Sequence, residues 1–264
     1  MRIVGYATRT GHTLLSMVQE KVIAVLRYSA VIALGTICWT AAHAESFDKP
    51  LQEKVVDLGH SPYLMPSDDR HVKLTCSYYS KFMIKELNDP GNKGALWIAI
   101  APVRPGLVSG CTRRHGPGEK LFKDWDGYFG GVKGDLVFLY DADGDNGGLG
   151  FTAFDSKTRA KVFRGSASGD RFKELDFVHV SDTQMTLRYL RIVSGDCSLP
   201  NDGSACWSKF KEQLGLALAP MPKCDYHGED VRDFSVVAYP VEVSLFPKPS
   251  IRALANPDKC WAAD

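Results

Sequence analysis

The stretch Asp135–Ser166, DLVFLYDADGDNGGLGFTAFDSKTRAKVFRGS, decides how the rest of the chain is read. Leu136, Val137, Phe138, Leu139 and Tyr140 form an apolar run of strand length, rich in β-branched and aromatic residues, as expected of a strand buried on both faces. Leu149, Phe151 and Phe154 follow an acidic, glycine-rich connection. Val162 and Phe163 follow a second turn, Asp155–Arg159. Three strands joined this closely make an antiparallel meander, because parallel strands need longer crossovers.

The first connection, Asp141-Ala142-Asp143-Gly144-Asp145-Asn146-Gly147-Gly148, sets three carboxylates at alternate positions. A hard cation such as calcium takes several oxygens from a flexible backbone, and Asp141, Asp143 and Asp145 are the candidate ligands. The segment resembles the first half of an EF-hand loop. Asn146 stands where that pattern has glycine, Thr152 stands where it has the closing glutamate, and the flanks read as strands rather than helices. The plainer reading is a hairpin connection in which Asp, Asn and Gly supply positive φ and local hydrogen bonds. A second phrase, Phe154-Asp155-Ser156-Lys157-Thr158 with Lys161-Val162-Phe163, resembles the hairpin inside a blade of quinoprotein-type β-propellers. It occurs once, whereas a propeller repeats its blade at a fixed period.

Upstream, Lys21–Arg27 precedes the apolar stretch Tyr28–Thr40, and Ala41-Ala42-His43-Ala44 follows. A positive flank, an apolar core and an A-x-A end describe a secretory signal peptide with cleavage near Ala44. The core is shorter than the about 20 residues that a membrane span needs. Met17 would open a more ordinary signal than Met1. Gly35-Thr36-Ile37 before Cys38 lacks the lipoprotein pattern, so the expected product is free, without a stable membrane anchor, in the periplasm or outside the cell. The leader carries Arg2, Arg9, Lys21 and Arg27 against Glu20. Of 32 basic and 31 acidic residues the mature chain therefore loses four and one, and its net charge falls from +1 to about −2. That balance offers no basic excess for nucleic acid.

Loss of Cys38 leaves Cys76, Cys111, Cys197, Cys206, Cys224 and Cys260. An even count in an exported chain points to disulfides. Six cysteines admit many connectivities; the expectation adopted is Cys76–Cys111, Cys197–Cys206 and Cys224–Cys260. No C-x-x-C pair is present to seed a zinc site.

Residues 45–264 read as a single β-rich domain, antiparallel meanders and hairpins arranged as a sandwich or an incomplete propeller-like stack. Phe47–Leu58 gives one short strand or helical turn. Val72, Leu74, Cys76 and Tyr78 alternate as a half-buried strand, and Phe82–Leu87 continues it. Asn88–Asn92 then turns the chain into Ala95–Pro102. Val103–Gly134 has many glycines and little expected regular structure. Its Trp125, Tyr128 and Phe129 would pack it as a lid on the sheet edge. Glu174–Val180 and Met185–Val193 form a hairpin, Ser194–Ala205 a cysteine-bounded loop, and Trp207–Leu218 the one helix, with Trp207, Phe210 and Leu214 on one face. Phe234–Phe246 reads as a strand pair bent around Pro240.

Catalytic signatures are sparse. Gly165–Gly169 lacks the nucleophile-elbow spacing, and no H-E-x-x-H, P-loop or dinucleotide fingerprint occurs. The strongest local cluster is Asp225-Tyr226-His227-Gly228-Glu229-Asp230. In an extended segment Asp225, His227 and Glu229 share a side and could hold a metal or move a proton. Arg113-Arg114-His115 could meet an anion. His179 reads as a strand-surface histidine, and Asp68–His71 as a turn. The expectation is an exported protein that binds an envelope or extracellular ligand without catalysis or an obligatory cofactor, calcium at Asp141, Asp143 and Asp145 being subsidiary. The alternative is a secreted hydrolase drawing its acid and base from the 141–148 and 225–230 segments.

Overall fold

The computed structural model describes residues 46–103, 110–123, 125–168, 175–178, 184–214, 220–226, 228, 230, 232–255, 257 and 259–263. The expected signal segment, residues 1–44, and residues His179, His227 and Glu229 lie outside the described residues.

The chain from Ala44 onward forms one compact unit of two antiparallel sheets, neither of them closed. The smaller sheet holds β1 (Gln52–His60), β2 (His71–Tyr78), β3 (Phe82–Asn88), β4 (Ala95–Pro102) and β5 (Lys120–Leu121), in that spatial order. The larger holds β6 (Tyr128–Lys133), β7 (Leu136–Asp145), β8 (Gly148–Asp155), β9 (Lys161–Ser168), β10 (Asp176–Val178), β11 (Thr186–Ser194), β12 (Ser235–Ser244), β13 (Ser250–Ala253) and β14 (Lys259–Ala262). Its main path runs β6-β7-β8-β9-β11-β12-β13, with β10 beside β11 and β14 beside β12.

β7 explains the layering. Successive strand residues face opposite sides. Leu136 and Phe138 enter one core with Phe151, Phe177, Leu187 and Tyr239. Val137 and Leu139 enter a second core with Phe82, Ile84, Ile98 and Ile100 of the smaller sheet. The larger sheet is therefore covered on one face by the smaller sheet, a sandwich-like contact. Its other face is covered by the helix α1 (Leu199–Leu214), through Trp207, Phe210 and Leu214.

The expected acidic loop is mostly strand. β7 runs through Asp145 and β8 starts at Gly148, so only Asn146 and Gly147 turn the chain, with φ of 50° and 78°. Asn-Gly is the pair that a tight hairpin with two positive φ values selects. The second turn is held by Asp155, whose Oδ1 accepts from the Lys157 and Thr158 amides and from the Thr158 hydroxyl. The propeller-like phrase is thus the β8–β9 hairpin.

Four boundaries differ from the sequence reading. Phe82–Asn88 does not continue β2; the chain reverses at Ser80, and β3 pairs antiparallel with it, Leu74 opposite Leu87. The 103–134 region holds β5 and β6, and Tyr128 and Phe129 belong to a strand. The helix begins at Leu199, not Trp207. Ser198 caps it: its Oγ accepts from the Asn201 amide, while Asp202 Oδ2 accepts from the Ser198 amide. Gly203, at φ 54° and ψ −126°, breaks the helix between that first turn and the longer part.

Pro240 does not split its run either. β12 pairs with β11 along its full length, Pro240 opposite Leu190. On its other edge β12 meets β14 through Ala238 and β13 from Val241 onward. Pro240 sits at the gap between those two short strands, where its missing N–H interrupts no ladder, and its carbonyl accepts from the Leu254 amide.

Three disulfides join Cys76 to Cys111, Cys197 to Cys206 and Cys224 to Cys260. The first ties the chain after β4 to β2. The second ties the residue before the helix cap to the helix interior. The third ties the 220–226 segment to β14. On the loop-closure model the short bridge contributes about 3 kcal/mol and each longer one about 4.

A lysine-rimmed groove beside the two sheets

The segment from Gly110 to Leu121 wraps the smaller sheet, and its anchors are polar. Lys85 on β3 is fully buried. Its Nζ donates to the Arg114 carbonyl at 3.0 Å and lies 3.0 Å from Glu119 Oε2, and both side chains are 1% exposed. Glu119 Oε2 also accepts from the Gly116 amide, and Oε1 lies 2.7 Å from His115 Nδ1. Trp97 completes the cluster: its ring meets His115 at 4.7 Å in a tilted contact, and Lys85 Nζ lies 5.6 Å from its centre. Burial pushes the Glu119 carboxyl up. The Gly116 amide, His115, and the Lys85 hydrogen bond and charge outweigh that, so its pKa ends below the ordinary carboxylate value. A lid therefore exists on this sheet, but it is held by Cys111 and Glu119. Trp125 and Phe129 pack instead into the core between the sheets.

Around Glu119 the chain turns over the edge of β4. Gly118 makes that turn at φ 79°, and Lys120 and Leu121 pair with Ile100 and Ala99. This wall, together with the Asp155–Arg159 turn of the larger sheet, bounds a groove of about 420 Å³ lined by Lys81, Phe82, Ile100, Pro102, Gly118, Lys120, Ser156 and Lys157. Phe82 and Ile100 belong to the core between the sheets and are 5% and 6% exposed, so the groove floor is the open end of that core. At the rim, Asp135 accepts from Lys81 Nζ and Lys157 Nζ, each at 2.7 Å. The two lysines hold its carboxyl below the usual range. Lys120 makes no ion pair among the described residues.

The residues singled out from sequence lie elsewhere. Asp141, Asp143 and Asp145 line a depression of about 340 Å³ on the larger sheet with Gly150, Arg164, Ser166 and Arg191. Asp141 pairs with Arg164 at 3.2 Å and Asp143 pairs with Lys93. Among the described residues no group of three or more His, Cys, Asp or Glu is placed to hold a metal ion. No described residue of 225–230 lines that depression. Of that cluster, Asp225 is exposed and anchored by its amide to the Cys260 carbonyl. Asp230 is held by Arg232, whose hydrogen bonds lower its pKa to about 2. Arg113 and Arg114 are exposed, while His115 belongs to the Glu119 cluster. Asp68 accepts from the Arg70 amide and guanidinium, as the expected turn requires.

A third depression, about 510 Å³, is lined by Asp57, Asp69, Arg70, His71, Lys73, Thr75, Asn88 and Pro90, with His71 Nδ1 2.7 Å from Asp57 Oδ2. Ligand sites are mostly apolar concavities with a few convergent polar groups. Of these three depressions the lysine-rimmed groove fits that description. Sequence reading missed it because its lining comes from four separate segments, each ordinary alone: the start of β3, the end of β4, the glycine turn into β5 and the β8–β9 turn. Among the described residues no helix is long and apolar enough to cross a membrane. The chain matches no protein-family model, no curated protein and no solved structure.

Proposed function

We propose that this chain acts outside the cytoplasm, in the periplasm or beyond, as a non-catalytic binding protein whose ligand lies in the groove between β3–β4–β5 and the Asp155–Arg159 turn. The observation that carries the reading is the groove floor: core side chains Phe82 and Ile100 reach an open concavity rimmed by Lys81, Lys120 and Lys157. Removal of residues 1–44 supplies the export route, and the three disulfides are consistent with an oxidising compartment. The hydrolase alternative draws no support from the depression at Asp141, where two of the three aspartates are already spent in ion pairs.

The test is binding of the neutral apolar fluorophore N-phenyl-1-naphthylamine to the exported chain. Pro102 is exposed on the groove floor, so Pro102→Trp fills the groove without touching the buried core. The reading expects saturable fluorescence enhancement that Pro102→Trp weakens at least tenfold while the far-UV spectrum and Tm stay unchanged. Enhancement indifferent to that substitution counts against the groove.

A further inference from the structure

We propose that the groove's ligand is a free aliphatic carboxylate, its chain lying over Phe82, Ile100 and Pro102 and its head among Lys81, Lys120 and Lys157. This inference rests on the groove being the binding site. The apolar floor selects a hydrocarbon segment, since removing it from water is the available driving force. The rim selects an anion: all three charged side chains that line the groove are lysines, and two of them, Lys81 and Lys157, already hold a carboxylate, Asp135. The rim also shows the geometry of carboxylate capture. Lys81 holds Asp135 Oδ1 and Lys157 holds Oδ2, each at 2.7 Å, and the Asp135 side chain is 30% exposed. Lys120, on the facing wall, has no such counter-ion among the described residues.

The head is a carboxylate rather than a phosphate because the described lining carries no guanidinium fork and no helix N-terminus, the two devices that suit phosphate best. Arg159, in the same turn as Lys157, spends its Nη1 on the Leu121 carbonyl. The two other depressions are lined by charges of both signs, aspartates included, so they do not compete for an anionic ligand.

The experiment is calorimetric titration of the exported chain at fixed neutral pH with decanoate, decan-1-ol, acetate and phosphatidylglycerol vesicles. Decanoate is expected to bind at one site, decanol at least tenfold more weakly, and acetate and the vesicles not measurably. Lys120→Gln should weaken decanoate several-fold and leave decanol unchanged. Equal affinity for decanol and decanoate overturns the anionic head and leaves the groove standing. Binding to vesicles without binding to decanoate overturns the free-carboxylate assignment in favour of a lipid surface. Failure of decanoate while the neutral fluorophore still binds in a Pro102-dependent way overturns the ligand class alone. Failure of both removes the groove reading itself.

Discussion

Stripping one member from a buried ion pair leaves the other charged and desolvated, at a cost of about 3–5 kcal/mol. Lys85 and Glu119 meet that condition, each with a side chain 1% exposed. Glu119→Gln is expected to lower stability by about that amount in urea denaturation. Replacing both partners, Lys85→Met with Glu119→Leu, should recover most of the loss, because two apolar side chains strand no charge. The pH dependence has a definite sign. Glu119 has a folded-state pKa below its ordinary value, so its stabilisation is fully present above the ordinary carboxylate range and disappears as pH falls through the folded value. In acid titration of the denaturation midpoint, the wild type should lose more stability below that range than the double variant does. None of this cluster was legible as a unit in the sequence. Lys85 sits in an apolar strand run, Glu119 in a glycine-rich stretch, and His115 reads as part of a basic triplet. Only the fold brings them together.

At the scale of elements, the N-terminal segment and the β7–β8 hairpin each rest on a local device. Phe47 packs edge-on against Phe138 and Phe177 at 5.3 and 5.1 Å and lies over Gly131, where a side chain would collide with its ring. Asp48 continues the attachment through its amide to the Val132 carbonyl and its carboxylate to the Gly134 amide. Phe47→Ala is expected to destabilise, read by thermal or urea denaturation, by less than the about 3–5 kcal/mol of a fully buried phenylalanine, because Phe47 is only partly buried. The hairpin was half legible. Its strands announced themselves by composition, but the three alternating aspartates drew attention away from Asn146-Gly147, the pair that turns the chain. Gly147→Ala should cost about 1–2 kcal/mol, because φ of 78° crowds a Cβ. With Asp141 and Asp143 paired to Arg164 and Lys93, millimolar calcium is expected to leave Tm unmoved; a rise of several degrees would show a native-state calcium ligand. The helix start was missed for a comparable reason. Side-chain periodicity begins at Trp207, whereas the capping signal, Ser198 with Asp202 and an early Pro200, lies a full turn and a glycine break upstream.

At the scale of the whole molecule, the larger sheet is a shared wall, with Leu136 and Phe138 in one core and Val137 and Leu139 in the other. That division was legible in the unbroken apolar run, since a strand wetted on one face would alternate. How the two sheets meet, and therefore the groove at the open end of their common core, depended on contacts between distant segments that no local pattern encodes. The disulfides bear on the same scale. Each fastens a connecting segment: Cys111 the wrapping segment to β2, Cys206 the helix to the residue before its cap, and Cys224 the 220–226 segment to the last strand. Export, trimming and complete cross-linking of the chain are the premises on which the rest depends. Intact-mass analysis of the extracytoplasmic protein, alkylated under denaturing and non-reducing conditions, tests this most directly. The expected result is a chain beginning near Glu45 with all six remaining cysteines unalkylated; a full-length chain, or alkylated cysteines in folded material, would overturn that expectation.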